Sequence, residues 1–211
     1  MFIDLTLQEY LKILKSDKPV PGGGSVAPYV AALGASLSIM GANLTINKKN
    51  YKLVDDKSKE IFEKNMKEIN ENIDALISLV DKDSLAFEKV IRAFKLPKNS
   101  SEERLLREQK IQEGYKFAIE IPMQCLNLCF NILKKISVFI TFFNKNLLPD
   151  VGAAALLLHS SLKICELNIN TNLNAINDST FTKKIKEELN QTISTSNNIK
   201  KNIMLMIKNK K

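Results

Sequence analysis

From Ser25 to Ile46 the chain carries no charged side chain. A stretch of that length can cross a bilayer. Its composition points elsewhere. Ala27, Ala31, Ala32, Gly34, Ala35, Ser36, Ser38, Gly41 and Ala42 keep it slim, and Asn43 and Thr45 stand near its end. Such a segment reads as the central buried helix of a bundle. Small side chains let a second helix backbone come close. Gly34 and Gly41 are seven apart and so share a face. That face needs a partner, either within the chain or from a second copy, and a homodimer is expected on the second reading.

The rest of the chain also reads as helix. Thr6 with Glu9 has capping-box spacing, ahead of Leu7, Tyr10, Leu11 and Leu14. Pro21, Gly22, Gly23, Gly24 and Ser25 are the sharpest punctuation. Three consecutive glycines permit backbone angles that other residues resist, and Ser25 is a candidate N-cap. Pro28 is read as lying in the first turn. A helix over 55–94 follows, with Ile61, Met66, Ile69, Ile73, Leu76, Ile77, Val80, Phe87, Val90 and Ile91 as its apolar stripe. Leu96, Pro97 and Lys98 end it. Ser101 opens the next helix, which Pro122 should kink or break. Asp150 is a candidate cap for a helix over 151–168, and Asp178 or Ser179 for a last one. No strand pattern emerges. The expected fold is all-α, five or six long helices packed as a bundle, with residues 1–211 forming one domain.

The formal net charge is +8, which invites a nucleic-acid reading. The lysines, however, are scattered, and no aromatics are interleaved with them. The densest run, Lys200, Lys201, Lys208, Lys210 and Lys211, reads as a solvated helix end. Neither a nucleic acid nor a membrane is expected as a partner. Cys125, Cys129 and Cys165 include no CxxC pair, and His159 is the only histidine. That set is too poor for a zinc site and reads as buried reduced thiols in a cytoplasmic protein. No metal site is expected. The N-terminus lacks a basic region followed by an apolar run, so no secretory leader is read there.

Several residues can carry chemistry. Free amides at a helix N-terminus bind anions, so the loop of Gly22, Gly23, Gly24 and Ser25 is a candidate site. It serves equally as a tight connection. Asp83 lies mid-helix, where Asp is a poor residue, near the side of Val80 and Phe87. Buried there, it would hold its proton more tightly and act as acid or base. Periodicity alone favours pairing of Asp81 and Asp83 with surface lysines. Asp150 is an N-cap or an acid. Asn43, Asn168 and Asn172 are amides on or near apolar faces, the last two four apart. Lys49, beside Lys48, meets an anion or caps a helix end. Walker, dinucleotide, zinc and Ser-His-Asp signatures are absent.

Together these residues make a pattern. Pro-Gly-Gly-Gly-Ser-Val-Ala over 21–27 is followed by Ala-Asn-Leu-Thr over 42–45, Lys48-Lys49 and Tyr51. Then come Leu79, Asp81, Asp83, Ala86 and Phe87, Leu96-Pro97-Lys98, Glu102-Glu103, and Pro122. Asp150-Val151-Gly152, Ala154 to Leu157, Leu167-Asn168 and Asn172 complete it. The order resembles the cyclodeaminase domain of the formiminotransferase-cyclodeaminase family over nearly the whole chain. Pro28, Asn47, Asn50 and Ile164-Cys165 depart from the family's usual residues. The resemblance implies a helical homodimer with the site near its interface. It also implies a tetrahydrofolate substrate, which can be polyglutamylated, and no further cofactor. It implies one of two reactions: cyclisation of 5-formiminotetrahydrofolate to 5,10-methenyltetrahydrofolate with loss of ammonia, or hydrolysis of 5,10-methenyltetrahydrofolate to 10-formyltetrahydrofolate. On this basis Asp83 and Asp150 are expected to move protons. Gly22, Gly23, Gly24, Ser25 and Lys49 would hold the pterin or the glutamate tail, and Asn43, Asn168 and Asn172 the ring system. A non-catalytic helical dimer that binds folate or serves interaction with a partner is the alternative.

Overall fold

The computed structural model describes residues 1–209, apart from the side chain of Asn50. Lys210 and Lys211 of the basic tail therefore lie outside the described residues. The rest is helix joined by short connections. Thr6 and Glu9 form the expected capping box at the start of α1 (Leu7–Leu14). α2 is Gly23–Ile46 and the single turn α3 is Lys49–Lys52. α4 is Asp56–Phe94, capped by Asp55. α5 is Ser101–Phe139, α6 is Leu148–Leu173 and α7 is Ser179–Asn209.

Two caps, those of α2 and α6, differ from the sequence expectation. Gly22, not Ser25, is the N-cap of α2, because the Ser25 hydroxyl donates to the Val80 carbonyl of α4 at 2.7 Å. α5 opens at Ser101 as expected, with Ser100 as its cap in a capping box with Glu103. α6 begins at Leu148, so Asp150 lies inside its first turn rather than at its cap, although its charge still suits the helix dipole there. Pro28 falls at the sixth residue of α2, beyond its first turn, and α5 runs unbroken through Pro122. Each proline removes one donor from its own ladder. Packing of the flanking turns holds both helices together: Ala27, Pro28, Ile121 and Pro122 are all buried.

α2 and α6 lie antiparallel at the centre. A Cβ on Gly34 would stand 2.9 Å from the Ala154 carbonyl and 3.1 Å from Leu157 Cβ; one on Gly41 would meet Phe143 at 3.0 Å and Val151 at 3.6 Å. The small-residue face thus finds its partner within the chain. α4 and α5 form a long hairpin against this pair, fixed by close packing of Gly114 on Val90 and by a Lys135–Glu68 ion pair. α7 covers α5 and α6, with His159 Nε2 2.7 Å from Asn197 Oδ1. His159 is therefore a partnered, half-buried residue. Cys125, Cys129 and Cys165 are free and buried, and Ser161 links the first two to the Ala27 carbonyl. Residues 23–46, 101–142 and 145–173 are each long and apolar enough to cross a membrane. In this fold they pack on one another and on the polar-faced α4 and α7.

Candidate active site

The N-terminal end of α2 meets the middle of α4. The glycines there take no unusual backbone angles; no glycine among the described residues has positive φ. What they provide is space. A Cβ on Gly24 would fall 2.0 Å from Asp83 Oδ1 and 2.4 Å from its Oδ2, so the carboxylate lies directly on the Gly24 backbone. A Cβ on Gly23 would meet Asn168 Nδ2 and Ile164 Cγ2, both at 3.7 Å. Close approach, rather than turn geometry, accounts for Gly24, whereas a Cβ on Gly23 would make only ordinary contacts.

This junction is one wall of a cavity of about 410 Å³. Gly22, Gly23 and Gly24 line one side; Asp83, Phe87, Ile91 and Phe94 of α4 line the next. Tyr115 and Ala118 of α5 and Asn168, Thr171 and Asn172 of α6 close it. The volume lies in the range of sites for ligands of folate-fragment size. No lysine, arginine or histidine is among its lining residues, so Asp83 supplies its only ordinary charge. Burial pushes the Asp83 carboxyl above the usual aspartate range. The surface ion pair that periodicity favoured is absent among the described residues, because α2 sits over the carboxylate. Asp81 points elsewhere and accepts the Phe2 amide at 2.5 Å.

The first amides of α2, on Gly23, Gly24 and Ser25, precede the first internal bond, Val26 N–H to the Gly22 carbonyl. Such groups, with the helix dipole behind them, favour negative charge. They can hold a polar ligand atom beside Asp83. Opposite stands an aromatic wall. Phe87 and Phe94 remain 42% and 43% exposed, so their ring surface is available to a flat ligand. Tyr115 meets Phe94 edge-on at 6.2 Å. Arg107 sits 5.5 Å from the Phe94 ring centre and donates to the Phe94 carbonyl at 3.2 and 3.3 Å, which fixes the end of α4. Phe87 had been expected to face the core and instead faces this cavity. Nothing in the spacing marked Phe94 or Tyr115 as site residues; a half-exposed aromatic at a helix end is visible only once the helices are placed.

The remaining expected residues lie elsewhere within one chain. Ser25 is buried and engaged with Val80, behind the cavity wall. Asp150 is level with Gly41, at the far end of the α2–α6 pair. Eighteen residues separate it from Asn168 on the same helix, roughly 27 Å along the axis. Asn43 is exposed near the C-terminal end of α2, and Lys49 is exposed in α3 beyond it. A second cavity at that end, about 590 Å³, is lined by Thr45, Lys48, Tyr51 and residues 141–146. A single chain thus brings together Gly22, Gly23, Gly24, Asp83, Asn168 and Asn172, but not Asn43, Lys49 or Asp150. Among the described residues no cluster of His, Cys, Asp and Glu has the makings of a metal site.

Known proteins resemble this chain in sequence and in fold. The profile of the family described as Formiminotransferase-cyclodeaminase matches residues 6–191. A methenyltetrahydrofolate cyclohydrolase of Methylorubrum extorquens is 32% identical over 206 residues, covering 97% of each chain. The formimidoyltransferase-cyclodeaminase of Rattus norvegicus is 28% identical over 191 residues, which are 90% of this chain and 35% of that one. The crystal structure of formiminotetrahydrofolate cyclodeaminase from Thermotoga maritima superposes with a TM-score of 0.85 at 30% identity, covering 97% of this chain and 96% of that one. With a profile match over most of its length and full-length similarity at this level, the chain belongs to the formiminotransferase-cyclodeaminase family.

Proposed function

We propose that the protein acts on a one-carbon derivative of tetrahydrofolate in the Asp83 cavity. It either hydrolyses 5,10-methenyltetrahydrofolate to 10-formyltetrahydrofolate or closes 5-formiminotetrahydrofolate to the methenyl form with release of ammonia. The observation that carries this reading is a single desolvated carboxylate, set between free helix amides and an aromatic wall, in a cavity otherwise without charge. The methenyl bridge between N5 and N10 is a delocalised cation. A lone carboxylate in a low-dielectric site stabilises such a centre more than it would in water. Relatives named for both reactions support the substrate class.

The chemistry needs one group that takes a proton and returns it. In hydrolysis, water attacks the methenyl carbon as Asp83 takes its proton. The carbon–N5 bond then breaks as Asp83 returns the proton to N5 and the hydroxyl on that carbon releases its own proton to solvent, leaving the formyl group on N10. In cyclisation, N10 attacks the formimino carbon and gives up its proton to Asp83. The amino group then receives a proton and leaves as ammonia. A carboxyl with a raised pKa suits both halves, since it must be ionised to accept and protonated to give. Asn168 and Asn172 present amides to the ring system. No redox or group-carrying cofactor enters either sequence.

Asp150, Asn43 and Lys49 join this scheme through a second copy. The outer face of α2 bears Val26, Val30, Leu33, Leu37, Met40 and Leu44 at helical spacing. Leu33, Met40 and Leu44 are 46%, 39% and 45% exposed, an apolar stripe without a cover in one chain. Two such stripes packed antiparallel about a two-fold axis near Leu33 and Leu37 would set the end bearing Asn43, Lys49 and Asp150 beside the partner's Asp83 cavity. We place the protein in the cytoplasm as a homodimer on this reading, with the exposed lysines near that end available to a glutamate tail. The test is an assay of both conversions on one purified sample, followed by the absorbance of the methenyl form. Binding of both folates without conversion of either would identify a non-catalytic folate-binding protein instead.

A further inference from the structure

α6 lines the Asp83 cavity with three polar side chains, Asn168, Thr171 and Asn172. Two of them have already spent a proton on their own helix. Asn168 Nδ2 donates to the Ile164 carbonyl at 3.1 Å, and Thr171 Oγ1 donates to the Leu167 carbonyl at 2.9 Å. A hydroxyl has one proton to give, so Thr171 can only accept from a ligand. The bond to Ile164 also fixes the Asn168 amide. Its nitrogen lies against its own helix and beside Gly23, whose Cβ would stand 3.7 Å from it, and Oδ1 is the end left over. Among the described residues that oxygen receives no donor, and the only buried side-chain oxygens without a partner are those of Tyr10 and Ser84, so Oδ1 is open to solvent. Residues three apart are neighbours on a helix face, roughly 5–6 Å between Cβ atoms. At 168 and 171 α6 therefore presents a pair of acceptors to the cavity.

We propose that Asn168 is a specificity-determining residue: its side-chain oxygen, with that of Thr171, receives the N–H-bearing edge of the substrate's 2-aminopyrimidinone ring. This rests on the folate reading above and gives the substrate a direction in the cavity. A tetrahydropterin carries the 2-amino group and N3–H on its pyrimidine edge, and the one-carbon unit at N5 and N10 on the far side. Gly23 and Gly24 are consecutive, so their Cα atoms are about 3.8 Å apart. The first packs beside Asn168 and the second on Asp83. One ring system spans the two, with its donor edge on α6 and its bridging carbon at Asp83. No lysine, arginine or histidine lines the cavity to offer the two oxygens a donor in the ligand's place. Such acceptors discriminate, because an analogue without the matching N–H takes water from them and returns no hydrogen bond.

The experiment is calorimetric binding of two probes, tetrahydrofolate and its 2-desamino analogue, in which hydrogen replaces the 2-amino group. The parent should bind the analogue about tenfold more weakly. Asn168→Leu should bind tetrahydrofolate about tenfold more weakly than the parent does and lose most of the preference between the two probes. Asn168→Asp has acceptors and no amide donor, so it should keep the preference. In turnover of the methenyl form, Asn168→Leu should raise KM about tenfold and leave kcat near the parent value. Equal affinity of the parent for both probes overturns the proposal, and this arm depends on no variant folding. An undiminished preference in Asn168→Leu also overturns it, since the donor edge would then rest on Asp83 or another acceptor. Loss of preference in Asn168→Asp overturns it as well, because the amide would then act as a donor. A parent that binds neither probe refutes the folate reading itself, whereas binding without discrimination refutes only the role of Asn168.

Discussion

Asp83 shows how position changes the meaning of a residue. On a helix surface it would be one more acid beside lysines. Here the α2 backbone lies on it, and desolvation raises its pKa. The folded state then binds its proton more tightly than the unfolded chain does. Its effect on stability is therefore absent at low pH and grows unfavourable as pH rises from the ordinary aspartate range through the raised folded value. Asp83→Asn should abolish that dependence. We expect the variant to melt about 2–4 °C higher at neutral pH, corresponding to ~1 kcal/mol for a chain of this size. Its turnover should fall by ~10²-fold or more. Calorimetry at two pH values and a steady-state assay check the pair of effects, and a lowered midpoint would contradict the desolvation account. Gly24→Ala tests the same contact from the other side. Its Cβ would displace the carboxylate, the free end of a side chain, so the protein should fold but lose most of its activity. A variant with parental kcat would show that the Gly24–Asp83 contact does not matter for turnover.

At the level of elements, the α2–α6 contact depends on missing side chains. Gly34 presses on the Ala154 carbonyl and on Leu157 and Leu158. Gly34→Ala must push the helices apart, because backbone at 2.9 Å cannot rotate away. Overpacking of this kind costs about 1–3 kcal/mol, and urea denaturation should show a lower midpoint with an unchanged slope. The same separation would open the junction that places Gly23 against Asn168, so KM for the folate should rise as well. α4 and α5 have a different task. Their hairpin carries the aromatic wall, and Arg107 ties its open end to the Phe94 carbonyl. Phe94→Ala is expected to raise KM about tenfold with kcat little changed, since stacking on an aromatic ring supplies binding rather than proton transfer. Loss of kcat alone would place Phe94 in the chemistry instead.

The whole molecule raises the question of the two ends. The cavity with Asp83 and the region of Asp150 are roughly 27 Å apart along α6, too far to share one substrate within a chain. The uncovered stripe on α2 offers a way to join them across an antiparallel dimer. The prediction is a complementation. Asp83→Asn and Asp150→Asn homodimers should each be nearly inactive. A randomly reassociated mixture should regain about a quarter of parental activity, because half the dimers are mixed and each of those holds one intact site. An additive, inactive mixture would confine the site to one chain, and full activity in Asp150→Asn would remove Asp150 from it. Leu33→Lys, on the exposed stripe, should yield monomers by sedimentation and lose whatever the partner contributes.

The helices, their capping at Thr6 and Asp178 and the buried character of α2 were all written in local pattern, because periodicity and caps depend on neighbours within a turn or two. The membership of the site was half legible. The glycine loop, Asp83, Asn168 and Asn172 could be named, since each breaks the composition around it. Why they matter could not be read there: Gly24 acts by making room for a carboxylate fifty-nine residues later, not by bending the chain. Ser25 looked like a cap and became a cross-helix donor. Phe94 and Tyr115 carried no signal at all. Their roles exist only where α4 and α5 meet, because burial and desolvation are properties of surroundings that only tertiary packing creates.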